Sequence, residues 1–254
     1  MLVAESIVAK VVISLITKLT TTLGTLVLSE RRRACRYLVK LYYAVQALDD
    51  TTERILHSVA NRASEGIAKA MFHALADEQD SVEFASNAFV DLSRDLQRGL
   101  GLLDPALHQL CRLIYRGKAD FLSVMSTGIH PDFSKSPPEF EFWMPTERLL
   151  RTDFEGAYKQ SVETIKLGKE YYWPTGAFEY IQDTERLIVT PESDESACRL
   201  LAALGQHHQS LKEARERLRI FLKESFTVEE LLFHQDETPA VSYTHLRAHE
   251  TKAN

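Results

Sequence analysis

Residues 30–59, ERRRACRYLVKLYYAVQALDDTTERILHSV, decide the fold class. Leu38, Leu41, Val45, Leu48, Ile55, Leu56 and Val59 return at three- and four-residue steps, the period of a helix that buries one stripe. No glycine or proline interrupts the run. A stripe of that length has to be covered, and similar patterns lie on both sides of it. Upstream, residues 2–28 put Val3, Ile7, Val8, Val11, Val12, Leu15, Ile16, Leu19, Leu23 and Leu26 on one arc, with Ser6, Lys10, Ser14, Thr17 and Thr21 opposite. Its many β-branched residues and Gly24 lower the intrinsic helix propensity, so this amphipathic helix requires an apolar surface to lie against.

Downstream, Gly66 marks a turn, and residues 67–100 predict a third long helix ending at Gly99 or Gly101, with Arg94 and Arg98 in its last turn. Asp104-Pro105 opens another, a capping residue followed by proline at the first helical position, running to Gly128. Residues 130–145, HPDFSKSPPEFEFWMP, hold four prolines and predict an irregular loop. Thr146-Glu147 begins a helix to about Tyr172, and residues 178–189 fit either helix or extended chain. Residues 194–224 form the clearest late helix, with Leu204, Leu211, Ala214, Leu218 and Phe221 as its stripe and KEARERLR as a charge-alternating face of bundle or coiled-coil type. Thr227 with Glu229 and Glu230 caps one more short helix. The expected fold is all-α: an antiparallel bundle of about six or seven helices with one Pro/aromatic-rich loop. Residues 1–29 form an amphipathic N-terminal helix packed on a bundle spanning residues 30–240.

Residues 241–254, VSYTHLRAHETKAN, resemble one reading frame of a transposase-type sequencing-library adapter, with 241–251 matching its constant part and 252–254 falling at the sample index. The resemblance implies a non-native tail on a truncated gene. His245, His249 and Glu250, otherwise suggestive of a metal-binding helix face, are therefore set aside. Of 30 basic and 36 acidic side chains, Arg247, Lys252 and Glu250 lie in this tail, leaving a net charge of −7 before it. The charge is unevenly spread: residues 1–48 carry +5, from Lys10, Lys18, Arg31, Arg32, Arg33, Arg36 and Lys40 against Glu5 and Glu30. A basic start on an acidic body points to an anionic partner or to attraction within one fold. Cys35, Cys111 and Cys198 are far apart, without a Cys-x-x-Cys pair, which fits burial in a reducing, cytoplasmic setting. Lys10 and Lys18 interrupt the one long apolar run, and Glu5 precedes it, so neither a spanning helix nor a secretory leader is expected.

The basic N-terminal unit is the leading candidate site. Lys10, Lys18, Arg31, Arg32, Arg33, Arg36 and Lys40 are expected to meet a protein partner or an anionic membrane surface, leaving the chain peripheral to the membrane in the second case. Arg32, Arg36 and Lys40 recur every four residues as one stripe. One basic stripe on an acidic chain is a poor nucleic-acid footprint. The rings of Phe140, Phe142, Trp143, Tyr171, Tyr172 and Trp173 sit where the chain turns and predict either a clamp for the loop or a docking pocket. Asp49-Asp50-Thr51-Thr52-Glu53 resembles the DDxxE metal site of all-α prenyl-diphosphate enzymes. That resemblance implies magnesium held by Asp49, Asp50 and Glu53. No second acidic motif accompanies it, and a solvated helix face explains the same residues. Glu53 with His57, and His73 with Asp77, stand one turn apart as two ligands of a metal site would, but surface hydrogen-bonded histidines are the expectation, and His207 is expected as a polar intrusion near the packing seam. Nucleophile elbows and phosphate-binding glycine loops are absent from the sequence. The expectation is a non-catalytic interaction or scaffold bundle without cofactor; the alternatives are the magnesium-dependent diphosphate enzyme and a membrane-acting effector. The layout of an apolar N-terminal helix ahead of a bundle resembles that of membrane-acting helical-bundle effector domains.

Overall fold

The long stripe of residues 38–59 is buried as its spacing requires. The computed structural model describes residues 7–85, 87, 92, 95, 96, 99, 139–145 and 184–232. In chain order the helices among the described residues are α1 (Ile7–Thr22), α2 (Leu28–Asn61), α3 (Ile67–Asp77), α4 (helical at the described positions 79–85, 87, 92, 95, 96 and 99), α5 (Asp194–Ser225) and α6 (Val228–Leu232). These make an all-α fold. Arg31 near the start of α2 reaches the last residue of α5, while Asp49, midway along α2, meets His208 and Arg215 of α5, so the two long helices run antiparallel.

α1 ends earlier than its pattern suggests. A 3-10 turn over Leu23–Thr25 leads into extended backbone at Leu26, and α2 begins at Leu28 with the Glu30 carboxylate accepting the Val27 N–H (3.3 Å). Val8, Val11, Val12, Leu15, Leu19 and Leu23 are buried, and α1 packs on α5. The arc that needed an apolar surface finds it inside the protein. Opposite the arc, Thr17 and Thr20 turn their hydroxyls back onto the carbonyls of Ile13 and Ile16, and Thr21 and Thr22 onto Lys18.

The expected third helix is divided at Glu78, between α3 and α4. The sequence Asp77-Glu78-Gln79-Asp80 crowds acidic groups at the end of α3, where the helix dipole disfavours them, and at the start of α4, where it favours them. Arg54 binds Glu78 (2.9 Å) and Arg62 binds Asp77, tying the break to α2. Gly66 precedes α3 at φ +89°, a conformation open to glycine. Asp194 at the start of α5 accepts the Ala68 N–H (3.0 Å), capping α3 from another helix.

At its far end α4 lies against α2. Gly99 is buried under the Tyr37 ring, in a space that a Cβ would occupy only by displacing the ring, and Lys40 binds Asp95 (3.0 Å) close by. Gly99→Ala is expected to destabilise the fold by about 1–3 kcal/mol, despite alanine's better helix propensity, because overpacking at a tight contact outweighs propensity. Urea unfolding of the two proteins, read as a shift in midpoint, checks this.

Residues 140–145 of the Pro/aromatic-rich stretch depart from the expected irregular loop, and residues 130–138 lie outside the described residues. β1 (Phe140–Pro145) pairs antiparallel with β2 (Thr184–Val189), in a register that sets Phe140 opposite Val189, Phe142 opposite Leu187 and Pro145 opposite Thr184. Aromatic and β-branched residues favour extended chain, and the proline falls at the strand end, where a missing N–H is tolerated. The open alternative for residues 178–189 resolves as strand over Thr184–Val189. Phe140 is fully buried, 4.8 Å from the Phe72 ring centroid, so the ribbon is anchored to α3. Leu187 and Val189 are buried as well, and β2 packs on α5. The helices expected from Asp104 and from Thr146, together with Cys111, Tyr171, Tyr172 and Trp173, lie outside the described residues, as does the tail at 241–254.

Candidate interaction surface

One end of the bundle is organised by Arg31. Its guanidinium donates to the Glu230 carboxylate (3.1 Å), to the Ser225 carbonyl at the end of α5 (2.7 Å) and to the Leu23 carbonyl in the 3-10 turn after α1 (3.3 Å). It also lies over the Phe226 ring. The Leu23 carbonyl, which also accepts the Leu26 N–H, the Ser225 carbonyl and the Glu230 carboxylate thus share one cation. Glu230, 5% exposed, also accepts the Thr227 N–H (2.9 Å), while the Thr227 hydroxyl accepts the Glu230 N–H (3.2 Å), the reciprocal cap expected for α6. The Cys35 thiol approaches the Glu230 carbonyl (3.5 Å); burial first, then the Glu230 charge, push this thiol up to about 12, so it stays protonated. Cys198, expected to be buried, is exposed.

Burial alone raises the Glu230 carboxyl, but hydrogen bonds from Arg31 and Thr227, with the Arg31 charge, outweigh it and hold the group below the usual glutamate range. A depressed native value adds stability above the ordinary glutamate range, and that part is lost as pH falls through the native value. Acid unfolding of the native protein is therefore expected to steepen below about pH 4.5. Glu230→Gln should flatten that segment of the stability–pH curve, as measured by thermal midpoints at successive pH values.

Four aliphatic side chains are exposed on the segments that flank this junction, among polar and charged neighbours. Val27 (61% exposed) and Leu28 (57%) form the turn into α2, and Val228 (72%) and Leu232 (67%) lie one turn apart on a single face of α6. Val27 accepts the Arg31 N–H (3.0 Å), and Arg31 grips Glu230, so turn and α6 meet at one residue. Arg32, one turn from Leu28, is exposed on the α2 side, and Glu229 is exposed beside Val228 on the α6 side. Clustered exposed aliphatics with a charged rim mark contact surfaces more often than scattered ones do.

The seven basic residues singled out by sequence do not act as one group. Arg31 is a structural cation. Lys40 binds Asp95 and lies over the Tyr37 ring. Lys10, Lys18 and Arg36 are half-buried, and only Arg32 and Arg33 are exposed. A sequence reader sees three adjacent arginines as equivalent; Glu230, 199 residues away, distinguishes Arg31. The aliphatic cluster was missed because its residues come from opposite ends of the chain. Its legible signal was apolar Val228 and Leu232 on a helix too short to bury both faces.

Asp49, Asp50 and Glu53 also separate. Asp49 is 2% exposed, whereas Glu53 is exposed and Asp50 half-buried, so the solvated-face expectation fails for Asp49. Its carboxylate lies 2.8 Å from Arg215 and 2.9 Å from His208 Nδ1, the latter contact off the line of a hydrogen bond. Arg215 also binds Asp50 (3.1 Å). Burial raises the Asp49 carboxyl above its usual range, against the lowering charges of Arg215 and His208, with Asp50 and Glu53 adding to the rise. Arg215 and the His208 ring thus face the carboxylate where a metal site would need further acids. Among the described residues no group of three or more His, Cys, Asp or Glu side chains is placed to hold a metal ion. His207 is buried at the seam, as expected. His57 and His73 are exposed and hydrogen-bonded, as expected, with Asn61 (3.0 Å) and Glu65 (2.9 Å) as the partners.

Comparison with known protein families, curated proteins and solved structures finds no match to the chain.

Proposed function

We infer that the chain is a non-catalytic helical-bundle interaction module whose contact surface is the end formed by the α1–α2 turn and α6. The observation that carries this reading is the exposure of Val27, Leu28, Val228 and Leu232 on the segments joined by the half-buried Arg31 and the buried Glu230. A rigid ionic staple beneath an apolar patch presents that patch without a conformational cost on binding. The buried arc of α1 moves the contact away from the face of the N-terminal helix and onto its C-terminal end. A photo-crosslinking phenylalanine at Leu28 is expected to form discrete adducts in extract of the source cells. The same probe at Lys212, exposed on α5 about 20 Å along the helix from Ser225, should form none. Equal labelling at both positions would contradict the reading.

A second reading, a membrane-acting bundle, is favoured by α1 itself. Val8–Thr25 is eighteen residues long and apolar enough to cross a membrane by length and composition, Lys10 and Lys18 included, contrary to the expectation from sequence. Its threonine hydroxyls already have acceptors on the same helix, which lowers the cost of entering hydrocarbon. Insertion requires α1 to leave α5. Vesicles containing about a third phosphatidylserine, a composition that gives an anionic surface, should then float the chain and strip α1 of amide protection; protection unchanged on vesicles contradicts this second reading.

A further inference from the structure

We propose that α6 is an acid-released strap: a proton on the Glu230 carboxylate lets α6 leave α2 while α1, α2 and α5 stay assembled. The device operates whether or not a partner docks at that end of the bundle. Among the described residues α6 is held on one side only. It is five residues long, with Val228 and Leu232 exposed and Leu231 partly buried against the core. Glu230 makes the polar attachment: its carboxylate takes the Arg31 guanidinium (3.1 Å), and the Cys35 thiol approaches its carbonyl (3.5 Å). The chain is extended at Phe226, whose ring packs on Phe221 of α5, so the hinge falls between Phe226 and Thr227. A helix of this length does not persist alone in water, and elements that bury so little open locally before the domain unfolds.

The charge on Glu230 decides between the closed and open states. From α2 it faces Arg31 and the Cys35 thiol, and within α6 the Thr227 cap. Among the described residues, Glu229 of α6 and Lys223 and Glu224 in the last turn of α5 are exposed and form no ion pair with it. A proton on Glu230 leaves Arg31 two of its three acceptor groups, the Ser225 and Leu23 carbonyls, so the ends of α5 and α1 remain tied to α2. At 27% exposure the guanidinium is open to hydration where the carboxylate was. The neutral carboxyl still accepts the Thr227 N–H, so α6 keeps its cap and loses only the charge-assisted bond to another helix. One cation thus serves three segments, and the proton disconnects one of them. Against the rise from burial, Arg31 and Thr227 hold the carboxyl below the usual glutamate range. The closed state therefore binds fewer protons than the open one, and release comes as pH falls through that lowered value.

Cys35 reports the strap, being buried against Glu230, while Cys198 on α5 is exposed and serves as reference. The full chain is pulsed with dithiodipyridine, a disulfide that exchanges with thiols at acid pH and releases one thiopyridone per thiol. Peptide mass locates the label, and the ratio of Cys35 to Cys198 labelling cancels the pH dependence common to both thiols. That ratio is expected to rise at least about tenfold from about pH 6 to about pH 3, a span that crosses the glutamate range, as one hydrogen bond to a charged group is lost. Peptides from the middle of α5 should keep their amide protection over the same span. Glu230→Gln, which preserves the cap, should show the raised ratio already at about pH 6 and change little below it. The native pH series stands by itself if the variant does not fold. A native ratio that stays flat, a rise that comes only with loss of α5 protection, or a folded Glu230→Gln that labels like the native protein at about pH 6 would each overturn the proposal.

Discussion

Removing residues 1–22 is expected to leave a chain without a cooperative thermal transition. α1 buries Val8, Val11, Val12, Leu15 and Leu19, each at most 3% exposed, and packs on α5. Burying one such side chain is worth about 1.5–3 kcal/mol. Five together come to about 7–15 kcal/mol, an upper estimate comparable to the whole net stability of an ordinary domain, about 5–15 kcal/mol. The deletion also uncovers the α5 surface beneath and removes the Leu23 carbonyl's tether to the rest of its helix. A gentler form of the same test is Leu15→Ala, expected to cost about 2–5 kcal/mol through lost burial and the cavity left behind. Urea midpoints of the full-length variant read it without relying on a truncated chain. If α1 were a free arm, Leu15→Ala would leave the midpoint within about 0.5 kcal/mol of the native value, as surface substitutions do.

The second large effect lies at the centre of α2. Arg215→Ala strips the principal cation from the buried Asp49 carboxylate and should cost about 3 kcal/mol or more, because a buried charge without its partner keeps the full desolvation penalty. Adding Asp49→Asn to Arg215→Ala should recover a large part of that loss, since the stranded charge is then gone. The sign of the pH dependence follows from the raised Asp49 value. Between the ordinary aspartate range and its native value, the folded state binds more protons than the unfolded one, so stability contributed at this site falls as pH rises through that window. Asp49→Asn should remove that slope. Glu230 contributes the opposite slope at the other end of the bundle, so the two substitutions flatten different parts of the curve in opposite senses. Equal losses for Arg215→Ala with and without Asp49→Asn would show that Arg215 acts by packing alone.

Helical periodicity carried the reading of α2 and α5 nearly to their observed ends, because each owns a long stripe whose burial needs only a neighbour, whichever it is. The Thr227–Glu230 cap was equally legible, being local. What escaped depends on pairs far apart in sequence. Asp49 sits one turn from Val45 and beside Leu48, on the flank of the buried stripe, but its inward role appears only once Arg215, 166 residues later, is set opposite by the antiparallel packing of α5. The β1–β2 ribbon joins segments some forty residues apart, and the prolines before it concealed the extended propensity of Phe140 and Phe142. The division of α3 from α4 did have a local signal, the acidic run 77–80, which a purely apolar pattern passes over. For the candidate surface, the basic residues stand out in sequence, whereas the exposed aliphatics Val27, Leu28, Val228 and Leu232 come from segments far apart in the chain.

Amide hydrogen–deuterium exchange on the full-length chain tests most directly whether α1 is core and the α1–α2/α6 end is the free surface. Peptides covering residues 8–23 are expected to exchange as slowly as those from the middle of α5, through unfolding of the whole domain, while residues 26–28 and 228–232 exchange faster. Rapid exchange across residues 8–23, with α5 still protected, would contradict this structure's placement of α1 and with it the location of the contact surface.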